Sequence, residues 1–214
     1  MVTATRRDHA LGPTDRVLLF VSFTFDASVA HSFSTLTSGA TLVLRTEAMA
    51  ESISTFLDEC NGWGGNHFPL PTVFWQELGS YMASHDLTLP DYLRLVTGGG
   101  EQMRAPDVKT WLERLPPDAR LLNVYGPTEA TIRTTYCELS NASPEDWSSR
   151  LVPIGRPIAN YHVYILDRHM EPVPVGVPGE LYVGGVGLAR GYLNGPGHTA
   201  TKFLPSPFST KPGA

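Results

Sequence analysis

The chain has 214 residues, enough for one core-bearing domain or for a domain joined to part of a second. Its 16 basic and 21 acidic residues leave a formal net charge of -5 with no basic run, which argues against nucleic acid as a partner. Cys60 and Cys137 lie in no CxxC pair and beside no histidine cluster, which argues against a disulfide framework or a zinc site and fits a reducing, cytoplasmic setting.

The first apolar run, 17–25, is too short to span a bilayer and too late for a signal peptide, so no membrane partner is expected. It predicts a strand, with Asp26 and Ser28 as caps of a helix reaching about Leu36, and 40–44 predicts the next strand. From Glu51 a helix is expected, because Ile53, Phe56, Leu57 and Cys60 fall at i, i+3, i+4 and i+7; Phe74, Leu78, Tyr81 and Met82 form a similar stripe after Pro71. Residues 93–97 predict a strand running into Gly98, Gly99 and Gly100. Pro106 suits the first turn of a helix carrying Val108, Trp111, Leu112 and Leu115, and 120–125 predicts another strand. This alternation predicts an α/β fold over residues 1–140, with a mostly parallel sheet flanked by helices.

After Cys137 the rhythm changes. Residues 143–150 predict a loop, and 161–167 with 180–184 predict a β-hairpin whose long connection holds Pro172, Pro174, Gly176 and Pro178. Residues 141–214 are thus expected to form a second, β-rich unit, and its tail from Asn194 loses all periodic pattern.

Open α/β sheets bind ligands where their strands end, and three such places carry chemistry. Asp26 follows the first strand, either as a helix N-cap or as a carboxylate projecting into a crevice. The glycines at 98–100 serve a tight strand-to-helix turn, or let the backbone approach a phosphate. The third place, Asn123 to Glu129, combines a turn at Gly126-Pro127 with an amide suited to an adenine edge, a Tyr125 ring that stacks, a Thr128 hydroxyl for a phosphate and a Glu129 carboxylate for Mg2+.

NVYGPTE at 123–129 resembles the adenine and phosphate motif of adenylate-forming, AMP-dependent synthetases and ligases, and GELYVGGVGLARGYL at 179–193 resembles a second motif of that superfamily. FTFDASV at 23–29 and VPIGRPIANYHVYILD at 152–167 are similar to the adenylation domains of nonribosomal peptide synthetases. The resemblance implies a β-rich partial barrel over 141–214 and a reaction in which ATP and an amino acid give an aminoacyl adenylate and pyrophosphate. A carrier-protein thiol, borne on phosphopantetheine, then takes the acyl group, with condensation domains as further partners. It also implies that Asn123, Val124 and Tyr125 hold adenine, that Gly100 and Thr128 contact phosphate, that Glu129 binds magnesium and acts with Thr128 in catalysis, and that Asp26 pairs with the substrate ammonium group. The side-chain pocket would be lined by Ala27, Ala30, Phe68, Thr97, Gly99, Val124, Ile132 and Arg133. An acyl- or aryl-acid-activating relative would not need Asp26, and a non-catalytic binding fragment is a third reading.

The resemblance further implies a phosphate loop, a ribose-binding aspartate and a small domain with a catalytic lysine. None has a counterpart in the 214 residues, so the isolated chain is expected to be inactive. Two side chains remain open. Residues 63–69 are less apolar than the strand expected there, and His67 is read as structural rather than as a general base. Arg133 either meets a polar or acidic substrate side chain, or turns to solvent or to an acid such as Glu129.

Overall fold

The structure is a computed structural model and describes residues 1–141 and 151–209. The loop expected at 143–150 and the last five residues of the tail lie outside them. A helix absent from the sequence reading, α1 (Val2–Asp8), precedes β1 (Arg16–Leu19), α2 (Ala27–Leu36), β2 (Thr41–Leu44), α3 (Glu47–Glu51), α4 (Ile53–Trp63) and β3 (His67–Pro71). There follow α5 (Thr72–Ser84), β4 (Leu95–Gly99), α6 (Ala105–Leu112), β5 (Arg120–Tyr125), β6 (Thr135–Glu138) and β7 (Arg156–Pro157). The hairpin β8 (Tyr161–Leu166) and β9 (Glu180–Gly185) comes next, and then α7 (Pro196–Lys202).

A seven-stranded sheet runs in the order β2-β1-β3-β4-β5-β6-β7, parallel from β2 to β5 and antiparallel from β5 to β7; β8 and β9 pair antiparallel by themselves. The expected mixture of a helix-flanked parallel sheet and a β-rich end is therefore present. The sheet also crosses position 140, because β7 pairs with β6.

One sheet face carries the main core. Phe68, Leu70, Val96 and Leu121 pack against Phe56, Phe74, Trp75, Leu78 and Trp111 from α4, α5 and α6. Trp75 and Trp111 stack at 5.3 Å, and the Trp111 indole N–H donates to the Trp75 carbonyl at 2.9 Å, so two large rings are buried with one polar handle satisfied. Local signals set the helix starts: the Thr46 hydroxyl accepts from Met49 N at the head of α3, and Ser52 from Thr55 N at the head of α4.

Three boundaries differ from expectation. The strand predicted over 17–25 stops at Leu19, because the chain bends away and leaves Phe23 and Phe25 70% and 65% exposed. The strand predicted at 93–97 begins and ends two residues later, and the helix expected from Glu51 begins at Ile53, separated by the extended backbone of Ser52 from α3, which was not expected. The doubtful segment 63–69 supplies the first three residues of β3, a five-residue strand at a central sheet position whose first four residues are buried. The tail, expected to be patternless, contains α7, with Pro196 at its start, where a missing N–H costs nothing.

Candidate active site

Because β1, β4 and β5 are parallel, Asp26, the glycine triplet and residues 125–129 follow strands that all end at one edge of the sheet. Close packing and backbone conformation favour the triplet. A Cβ on Gly98 would stand 2.2 Å from Met103, one on Gly99 would stand 2.5 Å from the Val124 carbonyl, and Gly100 has φ +100°. Both structural needs are met without a ligand, and the space over Gly100 is open.

Asp26 occupies the N-cap position of α2 but makes no capping hydrogen bond, and its own backbone is already helical. Its Oδ2 is buried with no partner among the described residues. A sealed, unpaired carboxylate oxygen is costly and calls for a donor from elsewhere. Ala27 and Ala30 follow on the same helix, Ala30 buried against the sheet.

Asn123 is 4% exposed, and its side-chain amide donates to the Pro153 carbonyl at 2.9 Å, which fixes its orientation. Tyr125 keeps an exposed ring. Thr128 to Ala130 form one turn of 3-10 helix with Thr128 exposed. The Glu129 carboxylate accepts a hydrogen bond from the Tyr192 hydroxyl at Oε1, and this bond holds its pKa below the usual carboxylate range. Its Oε2 has no hydrogen bond among the described residues, and an ionised carboxylate oxygen is the donor type that magnesium takes, so the residue fits that ion.

Beyond Glu129 the chain is strained. Thr131 and Ile132 have φ of 55° and 75°, costly for β-branched residues. Arg133 N donates to the Thr131 carbonyl at 2.9 Å, closing a γ-turn of the rare positive-φ form about Ile132. Both sides are anchored. The Thr131 hydroxyl donates to the Gly187 carbonyl, and Arg133 is buried, its Nη2 on Asp8 Oδ2 at 2.7 Å and its Nη1 on His9 Nε2 at 2.9 Å.

Arg133 thus faces neither solvent nor Glu129, and its charge is met by Asp8 from α1. With Nε2 accepting from a guanidinium, His9 is the neutral Nδ1–H tautomer, and burial pushes its pKa well down. His67 stands beside it at 5.2 Å between ring centroids, buried, with neither ring nitrogen partnered among the described residues. Burial lowers its pKa to about 3 and that of His31 on α2 to about 4.

Phe68 does not accompany the other pocket candidates. It pairs in register with Val96, and both side chains sit in the core under α4 to α6, with Phe68 against Phe56 at 5.5 Å. Thr97, one residue on, points to the opposite face, and by the same alternation His67 rather than Phe68 shares that face. A one-residue step reverses a strand side chain, which a match by sequence position does not detect. The residues missed entirely are Asp8, His9, Tyr161 and Tyr192. Of these, Tyr161 and Tyr192 had a signal, since they lie within the motifs at 152–167 and 179–193.

Comparison with known proteins places this geometry. AMP-binding enzymes, as a family, match residues 1–193. Chondramide synthase cmdD of Chondromyces crocatus is 39% identical over 215 residues, covering 98% of this chain and 5% of that protein. Phosphinothricin tripeptide synthetase PhsC of Streptomyces viridochromogenes is 38% identical over 219 residues, covering 100% of this chain and 18% of that protein. Among solved structures, the AMPPNP-bound form of the nonribosomal peptide synthetase FmoA3 superposes with a TM-score of 0.86 at 30% identity, over 96% of this chain and 22% of that one. The chain spans less than a quarter of the length of each of these relatives. Described residues include no helix long and apolar enough to cross a membrane. The chain belongs to the AMP-binding enzyme family.

Proposed function

We propose that the chain is the recognition core of an amino-acid-activating adenylation domain in a nonribosomal peptide synthetase. The observation that carries this reading is Asp26: a buried carboxylate oxygen, unpartnered and making no cap, at the sheet edge where ligands bind. An ammonium group of an amino acid supplies the missing donors, whereas an acyl or aryl acid does not. FmoA3 has been solved with AMPPNP and with an α-methyl-L-serine adenylate, which supports ATP and an amino acid as substrates of its relative.

In this reading the Tyr125 ring stacks on adenine, Asn123 and Val124 meet its edge, and Gly100 and the Thr128 hydroxyl approach the phosphates. The substrate carboxylate, held with its ammonium group on Asp26, attacks the α-phosphorus. The new P–O bond forms as the bond to pyrophosphate breaks. Magnesium, held by Glu129, supplies charge neutralisation when bound. Ala27, Ala30, Thr97, Gly99, Val124 and Ile132 line the side-chain pocket, with Phe68 and Arg133 standing outside it. The phosphopantetheine thiol of a carrier protein then displaces AMP, and condensation domains act on the product.

The test is Asp26→Asn in the synthetase that carries this chain, assayed by amino-acid-dependent exchange of pyrophosphate into ATP. Removing one partner of a desolvated ion pair is expected to lower exchange by an amount equivalent to about 3–5 kcal/mol with the cognate amino acid, and far less with its desamino analogue. Equal loss with both would overturn amine recognition.

A further inference from the structure

The motif at 179–193 has no role in the scheme above, yet its residues make a dense set of contacts with the turn that carries Glu129. Residues 129 to 131 are each held by a contact from outside the turn. Ala189 N donates to the Glu129 carbonyl at 2.7 Å, the Tyr161 hydroxyl donates to the Ala130 carbonyl at 2.7 Å, and the Thr131 hydroxyl donates to the Gly187 carbonyl. These bonds hold backbone and leave the Glu129 side chain free to rotate. Its carboxylate is fixed by one further contact, the hydroxyl of Tyr192 on Oε1.

Tyr192 is itself well held. Its N–H donates to Thr199 Oγ1 at 2.9 Å, and its ring lies 4.3 Å from His198 and 5.6 Å from Phe203, centroid to centroid, so α7 and the residue after it set the ring from two sides. The preceding Gly191 has φ +134°, and a Cβ there would stand 2.4 Å from Thr199 Cγ2. No other residue brings the ring to this place without displacing Thr199. The partner is also of the right kind. A phenol is neutral, so it orients the carboxylate without cancelling the charge a divalent cation needs, as an arginine in the same place would. His198 and Lys202 lie close by and form no ion pair with Glu129 among the described residues.

We infer that Tyr192 is a positioning residue for magnesium. By binding Glu129 Oε1 it locks the side chain and presents Oε2 as the ligand, and the motif at 179–193 with α7 holds the phenol that does so. The ion then binds a carboxylate whose rotamer freedom is already lost, which raises its affinity. This rests on the reading of Glu129 as the magnesium-binding residue given above.

The test is calorimetric titration of the synthetase that carries this chain with AMPPNP, with and without magnesium, for the wild type, Glu129→Gln and Tyr192→Phe. Phenylalanine keeps the ring against His198 and Phe203, so the fold is retained. The wild type is expected to bind AMPPNP more tightly with magnesium, and Glu129→Gln to lose that gain. Tyr192→Phe should lose about tenfold of it, the usual cost of removing a partner from a metal-binding side chain, while its metal-free affinity stays unchanged. A phenylalanine variant that keeps the full gain, or that loses metal-free affinity equally, overturns the positioning role. Wild-type binding that magnesium does not improve also overturns it and leaves the nucleotide site standing. Failure of the wild type to bind AMPPNP at all removes the nucleotide reading, and this inference with it.

Discussion

Acid should unfold this protein through His67, and the size of the effect follows from the burial around it. The ring is 3% exposed and neither nitrogen has a partner among the described residues. The groups that face it are His9 after α1, His31 on α2, Arg94 before β4 and Arg120 at the start of β5, with Asp15 beside a cavity of about 40 Å³ that His67 helps to line. Burial is the largest cause of its low pKa, and the surrounding positive charge adds to it, giving about 3 against 6.5 for a free imidazole.

The sign follows directly. Between those two values the unfolded chain binds a proton that the native state refuses, so stability is full above about pH 6.5 and falls as the pH drops toward 3. At pH 5 the loss is about 2 kcal/mol from this residue alone, a figure insensitive to where below about 4 the native ring titrates. His31, lowered to about 4 by burial and by Arg133, acts in the same direction. Against a total of roughly 5–15 kcal/mol this is a large fraction. Urea denaturation of the wild type and His67→Phe at about pH 7.5, 6.5 and 5.0 measures it. The variant, which removes two unpartnered nitrogens and keeps the ring volume, should match or exceed the wild type at the highest pH and lose about 2 kcal/mol less on going to the lowest. Parallel losses in the two proteins would refute the reasoning.

Ile132→Gly should relieve the positive-φ strain and raise thermal stability by an amount equivalent to about 1–2 kcal/mol; a lower melting temperature would show that the turn is not strained. Arg133→Met should destabilise the chain by about 3–5 kcal/mol in chemical denaturation, because it leaves Asp8 Oδ2 and His9 Nε2 buried without their partner and only the exposed Arg7 on Asp8 Oδ1. In the intact synthetase, Arg133→Lys should leave the ranking of amino acids in exchange assays unchanged, since Asp8 already occupies the guanidinium; a ranking that shifts away from polar side chains would return Arg133 to the substrate pocket. Trp111→Ala should cost about 3–5 kcal/mol by emptying the space against Trp75, and a loss under about 1 kcal/mol in urea melts would refute the core described above.

Much of the architecture was legible in the sequence because it is carried by local, periodic signals. Period-2 and period-3.6 apolar patterns announced six of the nine strands and four helices among the described residues, and Gly126-Pro127 and the glycine triplet announced the turns at the ligand edge. Recognition motifs are likewise contiguous, so 123–129 and 179–193 named a family that the comparisons bear out.

What tertiary structure decided was pairing and facing. Phe68 and His67 differ by one position in a strand, and only the register with β4 shows that His67 shares the face of Thr97. That Asp26, at the N-cap position of α2, makes no cap bond and has one oxygen sealed is visible only in the fold. Arg133 lies 125 residues from Asp8, and Tyr192 lies 63 from Glu129. No periodicity connects such partners, because a buried charge or a carboxylate is satisfied by whichever group the fold brings within reach, and that distance is set in space rather than along the chain.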